Sequence, residues 1–161
     1  MNKRFFMSAL AMALGAGLAG CGHLQSNIHP TLPLTYGSAL VQQQLSDVGV
    51  RPVFMSYWNA YQRRDWSARF HLEQFGVTPP EGEFYVRYHG LAWELVTFDL
   101  VEVSGPDDKG RWQTVVRSKF RNPSEPDQTK ERFVVDKWLL SDGEWRHLNQ
   151  DPMLNGMRPV D

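Results

Sequence analysis

The sequence predicts an α+β domain in which N-terminal helices pack on a curved antiparallel β-sheet. Two observations carry this. Phe54, Tyr57, Trp58 and Tyr61 fall at i, i+3, i+4 and i+7, which is one face of an α-helix. After Pro80 the period changes to strand-like runs over 84–89, 94–103, 111–121, 130–140 and 145–148. The stretches between the later runs are turn chemistry: Pro106 to Gly110, Asn122 to Pro126, and Ser141-Asp142-Gly143-Glu144. Asp-Gly between two such runs signals a hairpin, because glycine accepts the positive φ of a tight turn. Helices followed by consecutive hairpins give an α+β layout.

Leu40, Val41, Leu45 and Val48 lean to one side of a first helix over 36–47. Gln42 to Gln44 fit an ordered loop equally well. Pro52 suits the opening of the aromatic helix, where a missing N–H costs nothing. Ser56, Asn59, Gln62 and Arg63 fill its opposite face. Asp65 is placed to cap a further helix from Trp66 to about Phe75, its carboxylate accepting free backbone N–H groups. Gly76 and Pro79-Pro80 end that helix.

Ahead of the domain stands a segment with a secretory layout. Lys3 and Arg4 form a positive start, and residues 5–17 carry no charge. A membrane-spanning helix needs roughly 20 apolar residues, and this run falls short; a buried core helix would carry a polar face. Leu18-Ala19-Gly20-Cys21 resembles the lipobox of bacterial lipoproteins, in which the cysteine is acylated and becomes the new N-terminus. The resemblance implies lipidation of Cys21, a membrane anchor, and a site in the cell envelope. Gly22 stands where an aspartate would favour inner-membrane retention, so it implies an outer membrane lipoprotein facing the periplasm. The expected organisation is a signal peptide over 1–20, an acylated tether over 21–35, the α+β domain over 36–149 and a tail over 150–161. The tail is too short and proline-broken for another element, and is expected to pack across the sheet or meet a partner as an extended segment. Loss of Lys3 and Arg4 leaves a mature chain more acidic than the full chain's formal charge of −1, which argues against nucleic acid as a partner. Cys21 is the sole cysteine, so packing alone must hold the domain.

Residues 54–66, reading FMSYWNAYQRRDW, are similar to the opening helix pair of nuclear transport factor two-like domains. Residues 133–145, reading FVVDKWLLSDGEW, resemble the last hairpin of the same superfamily. That resemblance implies a cone-shaped domain whose curved sheet wraps a long helix and leaves an open pocket. The superfamily includes ketosteroid isomerases, dehydratases, small-ligand binders and adaptor domains of secretion machines, so fold says little about function.

Active-site motifs are few. There is no Gly-rich phosphate loop, His-Glu-x-x-His or nucleophile elbow. His23, His29, His71, His89 and His147 form no pair with ligand spacing, so neither a metal nor a cofactor is expected. The family resemblance implies that an enzyme of isomerase or dehydratase type would use Asp99 or His89 as base, with Tyr57, Tyr61 and Tyr85 as donors and Trp138 among the pocket residues. Asp99 interrupts an otherwise apolar strand; its simpler role is to face solvent or pair with a cation on a neighbouring strand. His89 beside Gly90 equally suits a strand end or bulge. Arg117, Lys119 and Arg121 share one side of a strand and form an anion or partner strip beside Trp112 and Phe120, or else pair with Asp136, Glu131 or Glu102. The expectation is a non-enzymatic envelope lipoprotein that binds a protein partner or a small apolar ligand, with the pocket enzyme as the alternative.

Overall fold

Ten elements follow one another along residues 33–156, which the computed structural model describes. They are β1 (Thr35–Tyr36), α1 (Ala39–Asp47), α2 (Arg51–Gln62), α3 (Trp66–Phe70), β2 (Glu73–Gln74), α4 (Gly82–His89), β3 (Glu94–Ser104), β4 (Trp112–Asn122), β5 (Glu125–Ser141) and β6 (Glu144–Leu148). The secretory segment, Cys21, most of the tether and residues 157–161 lie outside the described residues.

The fold is α+β with one six-stranded sheet ordered β1-β3-β4-β5-β6-β2. β3 to β6 form an antiparallel meander. The expected all-antiparallel sheet is corrected at both edges, where β1 and β2 pair in parallel with β3 and β6. Strands of two residues carry no period, so neither was readable. The β5–β6 hairpin turns on Asp142 (φ 53°) and Gly143 (φ 82°), the paired positive values of a two-residue turn.

Three local expectations are also corrected. The first helix starts at Ala39 rather than residue 36, because Ser38 Oγ accepts the Val41 N–H at 3.3 Å and caps it. Thr35 and Tyr36 instead lie beside Asp99 and Leu100. The helix opened by Asp65, whose Oδ1 accepts from Ala68 N at 3.0 Å, stops at Phe70 rather than Phe75. Leu72 and Gln74 give their carbonyls to the His147 and Asn149 N–H groups, both at 2.9 Å, and that pairing displaces further helical turns. Residues 84–89 are helical, not a strand. Phe84 stacks on Tyr88 and Tyr85 packs on His89, both i,i+4 pairs. Glu83 in the first turn and Arg87 in the last also complement the helix dipole. Aromatic and β-branched residues satisfy either period over so short a run.

α2 lies against one face of the sheet. Phe54 meets Phe98 and Trp138 with ring centroids 6.2 and 5.8 Å apart, and Trp58 stacks on Phe98 at 5.3 Å. Leu45, Val50, Leu100 and Val116 complete this core. A second cluster joins Trp66, Tyr85 and Leu154, so the tail is built into the domain as far as Asn155. The Asn155 side chain donates to the carbonyls of Asn149 and Asp151 and accepts from Gly76 N.

Candidate functional site

The polar residues of the interior converge on Glu73. Its side chain is fully buried, and burial without partners is costly for a carboxylate. Tyr57 and Tyr85 donate their hydroxyls to Oε1 at 3.1 and 2.8 Å, and Asn149 Nδ2 donates to Oε2. Arg69 Nε lies 3.6 Å from Oε1, and Arg69 also donates to the Tyr57 hydroxyl oxygen. The hydrogen-bond donors come from α2, α4 and the segment after β6 and the cation from α3, so one carboxylate ties four parts of the chain to β2.

His147 extends this network. Its Nε2 lies 3.1 Å from Asp136 Oδ1, and its Nδ1 faces Glu73 Oε1 at 3.8 Å. Trp58 Nε1 donates to the other Asp136 oxygen at 3.0 Å. Tyr57 stacks on the imidazole at 4.1 Å, and Trp138, whose Nε1 donates to Thr114 Oγ1 at 2.9 Å, closes over it. Burial pushes the Tyr57 and Tyr85 hydroxyls well above their ordinary pKa, against the opposing charge of Arg69. Both are therefore neutral donors. Burial disfavours the Arg69 charge, but Tyr57, Tyr85 and Glu73 together hold its pKa above the usual value.

Two carboxylates, an imidazole and two tyrosines in line have the makings of acid–base chemistry. They are sealed, however: the side chains of Glu73, Asp136 and His147 are 0%, 4% and 7% exposed. Tyr57, Tyr85 and Trp138, expected to line an open pocket, instead fill the space between α2, α4 and the sheet. Tyr61 is half-buried and donates to the Trp93 carbonyl at 2.9 Å.

Neither expected base meets this cluster. Phe98 and Leu100 face the core, so Asp99 faces away from it, and it accepts from Thr35 Oγ1 at 2.8 Å and Arg117 at 2.7 Å. His89 ends α4 rather than a strand, with its ring against Trp66 and Tyr85. Burial, helped by the Arg69 charge, lowers its pKa to about 4. Arg117, Lys119 and Arg121 do share the outer face, while Val116, Ser118 and Phe120 are buried beneath it. Arg117 and Arg121 pair with Asp99 and Glu94 rather than with Asp136 or Glu102, and Lys119 lies opposite Glu131. Asp136 is unavailable because it faces inward.

Two of the surface clefts lie beside the helices. One, of about 560 Å³, lies between α3 and α4 among Ser67, Phe70, His71, Gly82, Val86 and Arg87. The other, of about 270 Å³, opens where α2 ends, between Tyr61, Ala92, Trp93, Phe120 and Arg132. Among the described residues no group of three His, Cys, Asp or Glu side chains could hold a metal ion, and no helix is long and apolar enough to cross a membrane.

The chain matches no family model and no curated protein. Similar solved structures include a SEC-C motif containing protein from Rhodopseudomonas palustris, determined in solution. It is 12% identical, with a TM-score of 0.46 over 71% of this chain and 94% of that one. At that distance it transfers no function.

Glu73→Gln leaves the Arg69 charge buried without its carboxylate and should cost about 3–5 kcal/mol. Arg117→Gln breaks only an exposed pair and should cost about 0–1 kcal/mol. Urea unfolding of both variants checks the contrast, and equal costs would contradict the assignment of Glu73.

His89 supplies a pH dependence. Its folded pKa of about 4 lies below the ordinary 6.5, so between those values the unfolded chain binds the extra proton. Stability contributed by neutral His89 is thus complete above pH 6.5 and falls as the pH drops toward 4. His89→Gln should flatten the fall in melting temperature across that window, and an unchanged profile would show that His89 does not contribute to it.

Proposed function

We propose that this chain is a lipid-anchored, non-enzymatic binding module of the bacterial envelope, tethered through Cys21 on the periplasmic side of the outer membrane. The observation that carries the reading is where the reactive and apolar groups lie. Among the described residues, Glu73, Asp136 and His147 are committed to one sealed network, whereas the apolar cleft between α3 and α4 is on the surface. Val86 lines that cleft, α4 also exposes Phe84 and Tyr88, and Leu91 just beyond the helix is 87% exposed. Exposed apolar side chains gathered on one element support docking of a partner or an apolar ligand. An isomerase or dehydratase would need Asp99 or His89 in a chamber, and their positions give that alternative no support.

We read the fold as a filled variant of the nuclear transport factor two-like cone. The support is the order of elements, helices before a long antiparallel meander, with the aromatic face of α2 laid on the sheet. In such a variant the enclosed volume holds Trp58, Trp138 and Tyr57 in place of a ligand, and binding moves to the rim and the surface.

Metabolic labelling with a fatty-acid analogue tests the anchor. Cys21→Ser should lose the label and leave the membrane fraction, because serine lacks the thiol that is acylated; unchanged labelling would overturn the lipoprotein reading. In the same preparations Val86→Glu should sharply weaken binding of an uncharged apolar fluorescent probe without moving the melting temperature. Retained probe binding would remove the α3–α4 cleft from the proposal.

A further inference from the structure

The rim of the domain where α2 ends carries two cations, Arg132 and Lys130, that have no partner among the described residues. Arg132 sits on β5 directly opposite Ser118 of β4, so both belong to the face of the sheet that α2 covers. Arg132 lines the cleft with Tyr61, Ala92, Trp93 and Phe120, and among the described residues it makes no ion pair or hydrogen bond. Lys130, two residues earlier on the same face and opposite Phe120, is likewise without one. Arg64 adds a third cation, its guanidinium bonded to the Gly90 and Ala92 carbonyls beside the cleft. No acid lines it. Glu94, the nearest acid in sequence to Trp93, is held by Arg121 on the opposite face.

A second observation is independent of these charges. Ser118 is fully buried and its Oγ has no hydrogen-bond partner, although buried polar groups are nearly always paired. An orphaned hydroxyl therefore lies across the strand pair from an unpaired guanidinium. Tyr61, Trp93 and Phe120 wall the same cleft, and the Tyr61 and Phe120 rings meet edge to face at 5.7 Å. The site offers flat apolar walls, a planar cation and, among the described residues, no competing anion.

We propose that this rim cleft binds a small aromatic carboxylate, with its ring between Trp93, Tyr61 and Phe120 and its carboxylate paired with Arg132. A carboxylate matches the fork of guanidinium donors in two parallel hydrogen bonds. The cleft volume of about 270 Å³ lies just under the roughly 300–1,000 Å³ of drug-sized sites, which suits one or two fused rings. Lys130 contributes long-range attraction to the anion. The proposal rests on the reading of the chain as a binding module, but not on its lipid anchor or its α3–α4 cleft.

Calorimetric titration of the full chain with 1-naphthoate and with uncharged 1-naphthamide tests it. Detergent partitioning is common to all variants, so the differences between them carry the result. The carboxylate should bind about ten-fold more tightly than the amide, the worth of one charge-assisted contact. Arg132→Gln should erase that preference and leave the melting temperature unchanged, since Arg132 is exposed and supports no partner. Equal affinities for the two probes, no binding of naphthoate, or full binding by Arg132→Gln would each overturn the proposal. If Val86→Glu alone abolishes binding, the ligand sits between α3 and α4; the rim assignment then fails while the binding-module reading stands.

Discussion

A carboxylate removed from water must be surrounded by donors and cations, and Glu73 meets that requirement by drawing them from four separate parts of the chain. Tyr57 comes from α2, Arg69 from α3, Tyr85 from α4 and Asn149 from beyond β6. Each satisfies the carboxylate only if its own element is in place. β2 contributes little pairing of its own, two residues against β6, yet it holds the centre of the interior. A buried charge of this kind is a poor source of net stability. Its effect is specificity, because any misplaced helix leaves the carboxylate or Arg69 unpaired.

The same constraint decides what the interior can do. His147 between Asp136 and Glu73 is the arrangement from which general acids and bases are made, but a substrate would have to displace Trp138 and Tyr57 to reach it. The rings that stabilise the network are the ones that seal it. Among the described residues, the surface offers an apolar cleft by α4 and a cationic, aromatic cleft around Arg132. The outer-face strip is further from this role, since Arg117 and Arg121 already have acidic partners.

Much of the frame was legible. The aromatic spacing of α2, the Asp65 cap and the Asp142-Gly143 turn each combine a residue type with a position that only one local geometry satisfies. β2 was not legible, because two residues have no period, and α4 was misread because Phe, Tyr and Val serve both periods over six residues. The centre of the network was missed for a different reason. Asp99 and Asp136 each interrupt an apolar strand, and composition treats them alike. Parity separates them: Asp136 shares the face of Val134 and Trp138, whereas Asp99 alternates with Phe98 and Leu100. That signal was present and pointed inward for Asp136. Glu73 had no comparable signal, because its burial depends on donors up to 76 residues away in sequence.

Glu73 and Arg69 are needed as a balanced pair rather than as separate contacts. A double-mutant cycle with Glu73→Leu and Arg69→Met, followed by urea unfolding, addresses that directly. Each single variant strands one buried charge or its partners, while the double variant removes both. The double variant should be less destabilised than the sum of the singles by about 2 kcal/mol or more. Additive costs would contradict it, showing that the two side chains act independently and that the network does not organise the fold.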